Sequence, residues 1–272
     1  MTSAECTVTI EPGKVPVVVV VGEVNYESAP RIRQALSQLQ LEGHLSLALD
    51  CSSVDFIDSS GIGAVVHAAE TLRQAGGSLR LRGAAPQLVH ALQVSGFAGL
   101  LDLQKLEESP LCRAAVERRA GAPGIQRQAR FSVPLLTDEG GTVRKRVTEI
   151  AETMPFSREQ IDDIRLAVGE AVANAVRHGR RNEHDCLTVH CTADSDKLVV
   201  RIHNPGKPFN PDAVPLPDPY HVREGGLGIF FMRASMDSVD YSFDKAGTTV
   251  TMVKYVCAAS EGDDGRGDEL DG

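Results

Sequence analysis

Two rhythms of apolar residues alternate along the chain. Glu5–Ile10 and Val17–Val24 read as two strands joined by a turn at Pro12-Gly13, and from Ser28 to Leu41 the positions Ile32, Ala35, Leu36 and Leu39 fall at helical spacing. A buried strand at Leu45–Leu49, a helix at Asp58–Ala75, a strand at Leu79–Arg82, a Pro-led helix at Pro86–Ser95 and a strand at Leu100–Leu103 follow. Strands alternating with helices predict a small α/β layer. The pattern resumes with a strand at Arg130–Pro134, helices at Thr142–Thr153 and Ser157–His178, and strands at Leu187–Thr192 and Leu198–His203. A long Pro-rich loop, Asn204 to Gly226, precedes a helix at Leu227–Met236 and strands at Ser238–Phe243 and Thr248–Val256. Loops of that length are usually functional. Between the halves, Leu111–Arg119 reads as a helix and GAPGIQRQ, Gly121 to Gln128, as a linker. Eight residues span at most ~29 Å at ~3.6 Å each, so the halves are expected to lie close together.

The helix at Ser157–His178 carries the densest set of candidate residues. Ser157 and Gln160 have capping-box spacing, and Ile161, Ile164, Val168, Ala171 and Ala175 form its apolar stripe. At 100° per residue, Glu170, Asn174 and His178 advance only 40° at each step and line the edge of that stripe. A carboxylate and an amide stacked there can share an ion or a water, although an ordinary polar helix edge has the same spacing. The junction VDFIDSSGIGAVV, Val54 to Val66, is the second notable stretch. Asp58, Ser59 and Ser60 are all good N-cap residues, but one suffices for a cap. A serine between a helix N-terminus and two glycines is open, and an added phosphate would be tolerated there by free N–H groups and the helix dipole.

The fragment LALDCSSVDFIDSSGIGAVV with LRLRGAAPQLVHALQVSGF resembles the STAS domains of bacterial anti-anti-sigma factors. That resemblance implies Ser59 as the phosphorylated switch, with Ser60 secondary. In the second half EAVANAVRHG, VVRIHNPGKPF, EGGLGIFFMRASMDSV and AGTTVTMVKY, in that order, resemble the GHKL ATPase domain, most closely its anti-sigma-factor serine kinase branch. The resemblance implies ATP and Mg²⁺ as cofactors, Glu170 as the base that orients the acceptor hydroxyl, and Asn174 as the metal ligand. The implied ATP-binding set is Asn174, His178, Asn204, Gly206, Gly226, Leu227, Gly228 and Thr249, with Gly226 and Gly228 against the phosphates and Thr249 in the adenine pocket. Where the family has Asp-x-Gly-x-Gly, this chain has Asn204-Pro205-Gly206-Lys207-Pro208. The Asn204 carbonyl is expected to accept the adenine amino hydrogen bond in place of the Asp, as a neutral and weaker acceptor.

The implied organisation is a STAS domain at 1–108, a helix and linker at 109–128, a GHKL domain at 129–257 and an acidic tail at 258–272. The fold class the resemblances imply is α/β and α+β in two domains, a STAS-like α/β layer followed by a GHKL (Bergerat) ATPase α/β sandwich. The formal charge of −9 changes little: six acids and one Arg lie in Glu261 to Gly272, leaving −4 for the body and no basic patch for nucleic acid. The tail has almost no apolar surface to bury and reads as disordered. The longest apolar run, Val15–Val21, is far short of the ~20 residues of a membrane span, and the N-terminus has no signal-peptide pattern, so a cytoplasmic protein is expected. Six cysteines without scaffold spacing read as reduced thiols in cores. The two resemblances together imply a partner-switching regulator, a serine kinase acting on a DSSG sequence of its own or of a partner. A sigma factor or another STAS or anti-sigma protein is the expected partner, in a homodimer that presents Ser59 across the dimer at least as readily as within one chain. The alternative is a non-catalytic binding switch.

Overall fold

The computed structural model describes residues 6–103, 127–136, 139–218 and 226–256. The helix expected at Leu111–Arg119, most of the linker and the acidic tail lie outside the described residues. The first unit is a sheet of order β1-β2-β3-β4-β5, built from Thr7–Glu11, Val17–Val24, Ser46–Ile57, Ser78–Arg82 and Asp102–Leu103. The hairpin pair β1/β2 is antiparallel and the other pairs are parallel, joined by the helices α1 (Ala29–Leu41), α2 (Ser59–Gln74) and α3 (Pro86–Val94). The second unit is an antiparallel sheet, β6-β7-β8-β10-β9, from Arg127–Pro134, Cys186–Ala193, Lys197–Asn204, Thr248–Tyr255 and Ser238–Phe243. Helices α4 (Glu139–Ala151), α5 (Arg158–His178) and α6 (Leu227–Ser235) pack on its apolar face.

Most predicted elements form within a residue or two of their expected ends, but β3 does not. Its apolar run stops at Leu49, yet the strand continues through Ser52, Ser53 and Asp55 to Ile57. The parallel register explains this, because Ser53 pairs with Val21 and Ile57 with Val24 after a shift near Gly22, whose φ of 91° suits only glycine. The strand therefore runs straight into α2, with Asp58 as N-cap. Ser59 is thereby held at a rigid strand-to-helix corner.

That corner points at the second unit. Leu166 of α5 and Leu227 and Phe231 of α6 pack into the first unit's core, making one apolar mass across the boundary. Around it Arg144 of α4 pairs with Glu23 and lies 3.7 Å over the Phe56 ring. Gly169 is required where Phe56 meets α5, since a Cβ there would come within 2.4 Å of the ring. The thiols of Cys6, Cys51 and Cys191 are buried as expected, but Cys186 is exposed at the start of β7. Among the described residues no helix is long and apolar enough to cross a membrane.

Candidate active site

Helix α5 is anchored at its start. Ser157 Oγ accepts from the Gln160 N–H, Gln160 Oε1 accepts from the Ser157 N–H, and Gln160 Nε2 donates to the Tyr255 carbonyl at 2.9 Å. Three turns on, the row of Glu170, Asn174 and His178 emerges from the core: Glu170 is fully buried, Asn174 half-buried and His178 exposed. Glu170 lies at the unit boundary, not on an open edge. Its Oε1 accepts from the Ser59 backbone N–H, and its Oε2 accepts from Ser59 Oγ at 2.6 Å. Asp58 accepts from the N–H groups of Ser60 (2.8 Å) and Gly61 (3.1 Å), which orders the first turn of α2 around Ser59. A carboxylate on a serine hydroxyl, at the positive end of a helix, has the geometry required of a general base.

The electrostatics of this contact are strained. Burial, and then the charge of Asp58, push the Glu170 carboxyl up to about 8, partly offset by its two bonds from Ser59 and by Arg177. Burial raises Asp58 in the same direction, and its Oδ2 is buried without a partner among the described residues. Two carboxylates kept from water at one corner hold a proton between them more readily than two charges.

A cavity of about 1010 Å³ opens beside Ser59, large enough for a nucleotide-sized ligand. At one end are Ser59, Asn174, Gly226 and Gly228. Gly226 caps α6 with φ of 87°, and a Cβ on Gly228 would lie 2.5 Å from Glu170 Oε2 and 3.5 Å from Asn174 Nδ2. The α6 N-terminus therefore sits directly on the Glu170–Ser59 pair, where its free N–H groups favour an anion. At the other end, Phe209, Tyr241 and Val250 form an apolar slot with Asn204, Lys207 and Thr248 as polar members. Tyr26, Pro30, Gly63 and His67 of the first unit line the same cavity.

Residues 133–254 match the family model for the histidine kinase-like ATPase domain, and residues 7–109 match that for the STAS domain. The serine-protein kinase RsbW of Listeria monocytogenes is 36% identical over 122 residues, 42% of this chain and 77% of that protein. The chain belongs to the histidine kinase-like ATPase family, with a STAS domain in front. RsbW of Oceanobacillus iheyensis is 31% identical over 135 residues, 46% of this chain and 85% of that protein. Among solved structures, the anti-sigma factor antagonist SpoIIAA in its unphosphorylated form is 23% identical, covering 32% of this chain and 82% of its own, with a TM-score of 0.30.

In this STAS–ATPase fusion the expected residues do not all gather as the sequence implies. Ser59, Asn174, His178, Asn204, Gly226 and Gly228 line the cavity, with Glu170 buried behind Ser59 and Leu227 turned into the core between the domains. Thr249 is not in the cavity. Strand parity puts it on the opposite face of β10, where its Oγ1 lies 3.0 Å from His203 Nδ1, and Thr248 takes the cavity position opposite Asn204. The Asn204 carbonyl is not free to accept from a ligand either. Its Oδ1 accepts from the Gly206 N–H at 2.8 Å, closing an Asx turn, and the backbones of Gly179 and Gly206 crowd it. Gly206 serves that turn instead of reaching the cavity. His178, held below its usual range by burial and by Arg177, sits on the rim.

Two participants escaped the sequence reading. Arg177 Nη2 donates to Ser60 Oγ at 2.5 Å and its guanidinium lies 5.3 Å over the Tyr26 ring. It follows Glu170 by two turns on the same helix face, a spacing that could have flagged it. Asp58 has the sequence signature of a cap alone, and its nearness to Glu170 depends on how the domains dock.

Proposed function

We propose that this chain is a protein serine kinase that transfers the γ-phosphoryl group of a magnesium-bound nucleoside triphosphate, ATP in the first instance, to Ser59 of its own STAS domain. One observation carries the reading: Ser59 Oγ donates to Glu170 Oε2 at 2.6 Å at the mouth of a cavity large enough for a nucleotide. Glu170 draws the hydroxyl proton, Ser59 Oγ forms the new O–P bond, and the bond from the γ-phosphorus to the bridging oxygen breaks, leaving the nucleoside diphosphate. Asn174 would hold Mg²⁺ through its single neutral carbonyl oxygen, and the ion would supply charge neutralisation on the nucleotide phosphates. The α6 N-terminus, with Gly226 and Gly228, leaves room for phosphate oxygens against the helix dipole. The phosphorylation state of the docked corner would then govern binding of a sigma factor or another anti-sigma or STAS partner, in the cytoplasm and with a homodimer as the working assembly.

The geometry favours transfer within one chain, since Ser59 already rests on its own chain's base. Mass spectrometry after incubation with Mg-ATP is expected to find phosphate on Ser59 of the wild type. A mixture of Ser59→Ala and Glu170→Gln chains is expected to stay unlabelled, because neither can modify itself. Labelled Ser59 in the mixture would overturn the claim that transfer runs only within one chain, and a wild type left unlabelled by every magnesium nucleoside triphosphate would overturn self-phosphorylation altogether.

A further inference from the structure

Two of the polar side chains at the apolar end of the cavity have a defined donor–acceptor sense. Asn204 and Thr248 face each other across β8 and β10, and both line the cavity. Asn204 Oδ1 is committed to the Gly206 N–H at 2.8 Å. It is also walled in, because a Cβ on Gly179 would lie 2.4 Å from it and one on Gly206 2.5 Å from it. Turning the amide over would aim Nδ2 hydrogens at the Gly206 N–H, donor against donor, so this orientation is locked. Nδ2 is the part of Asn204 left to meet a ligand. Thr248 Oγ1 donates its proton to the Lys207 carbonyl at 3.4 Å, which leaves its lone pairs to accept from a ligand. The slot therefore shows a donor and an acceptor side by side.

The flat apolar walls around that pair suit an aromatic base. Phe209 and Tyr241 meet edge to face with centroids 5.3 Å apart, and Val250 pairs with Tyr241 across β10 and β9. The other end carries the α6 N-terminus and Ser59, so a bound nucleotide would place its phosphates there and its base here. The Watson–Crick edge of a 6-oxopurine offers a carbonyl acceptor beside an N–H donor, the complement of Asn204 Nδ2 and Thr248 Oγ1. Adenine offers the reverse at both positions, an amino donor beside a ring-nitrogen acceptor.

We infer that Asn204, with Thr248, turns the base specificity of this cavity from adenine to a 6-oxopurine, so that a guanine nucleotide is the preferred phosphoryl donor and ATP the weaker one. The inference rests on the nucleotide-binding reading above. Asp at 204 would still accept from the Gly206 N–H while offering a second acceptor to an adenine amino group, so Asn204→Asp keeps the turn and inverts the readout. Titration calorimetry of the full chain with Mg-GTP and Mg-ATP tests this. Wild type is expected to bind Mg-GTP at least about tenfold more tightly than Mg-ATP, the factor that goes with roughly one buried hydrogen bond made and not missed. Asn204→Asp is expected to reverse the order. Equal affinity of wild type for the two nucleotides, or tighter binding of Mg-ATP, overturns the inference and leaves the kinase reading intact. Binding of neither nucleotide overturns both.

Discussion

Replacing Glu170 with Gln separates the chemistry of the corner from its docking. In the docked chain Glu170 is fully buried and its carboxyl is raised from 4.5 to about 8, first by burial and then by Asp58. The group's pKa is raised, so docking favours the protonated form. Its stabilisation is fully present below about pH 4.5 and is lost as pH rises through about 8. At 1.36 kcal/mol per unit the whole loss is at most about 5 kcal/mol, and about 3 kcal/mol of it has gone by neutral pH. The upper limit applies because α6 shields part of the carboxyl even when the STAS domain swings away. Gln keeps the shape: its carbonyl oxygen accepts from the Ser59 N–H and its amide donates to Ser59 Oγ. The variant is therefore expected to hold the STAS domain up to about a hundredfold more firmly at neutral pH, to bind nucleotide as before, and to transfer no phosphate. Hydrogen exchange at the amides of residues 59–61, corrected for intrinsic rate, follows docking. Wild-type protection is expected to fall across that pH window, and Glu170→Gln should retain only the slope due to Asp58, which burial shifts the same way. Wild-type protection that stays flat or rises with pH would refute the reasoning, as would phosphoryl transfer by Glu170→Gln at the parent rate.

Gly228→Ala should divorce stability from activity. Its Cβ would lie 2.5 Å from Glu170 Oε2, so the carboxylate must move off Ser59, and transfer is expected to fall at least about tenfold. Alanine is the better helix former by up to ~1 kcal/mol, so the melting temperature should hold or rise; a variant that melts lower and still transfers at full rate would contradict this. At the other end, Thr248→Val is expected to weaken nucleotide binding by roughly 1 kcal/mol, while Thr249→Val should leave it unchanged, as measured by calorimetry. The opposite ranking would mean that β10 presents its other face.

The elements of this chain, and several of its site residues, are legible without coordinates because they depend on local chemistry. The Ser157–Gln160 capping box and the 40° steps from Glu170 to His178 are properties of one helix, and both appear in α5. Three features needed the third dimension. Whether Thr248 or Thr249 faces the cavity depends on the register of β10 against β8, and an error of one residue changes the face. The carbonyl of Asn204 is spent because Gly179, at the end of α5, closes against it. Most of all, Ser59 and Glu170 are 111 residues apart and read in sequence as belonging to separate domains. Sequence could name each as a candidate, since a corner serine and a helix-edge carboxylate carry their own patterns. Their pairing was decided by the apolar mass of Leu166, Leu227 and Phe231 against the STAS core and by Arg144 on Phe56 and Glu23. That packing removes water from the corner, lifts Glu170 toward neutrality and sets the acceptor hydroxyl on its base.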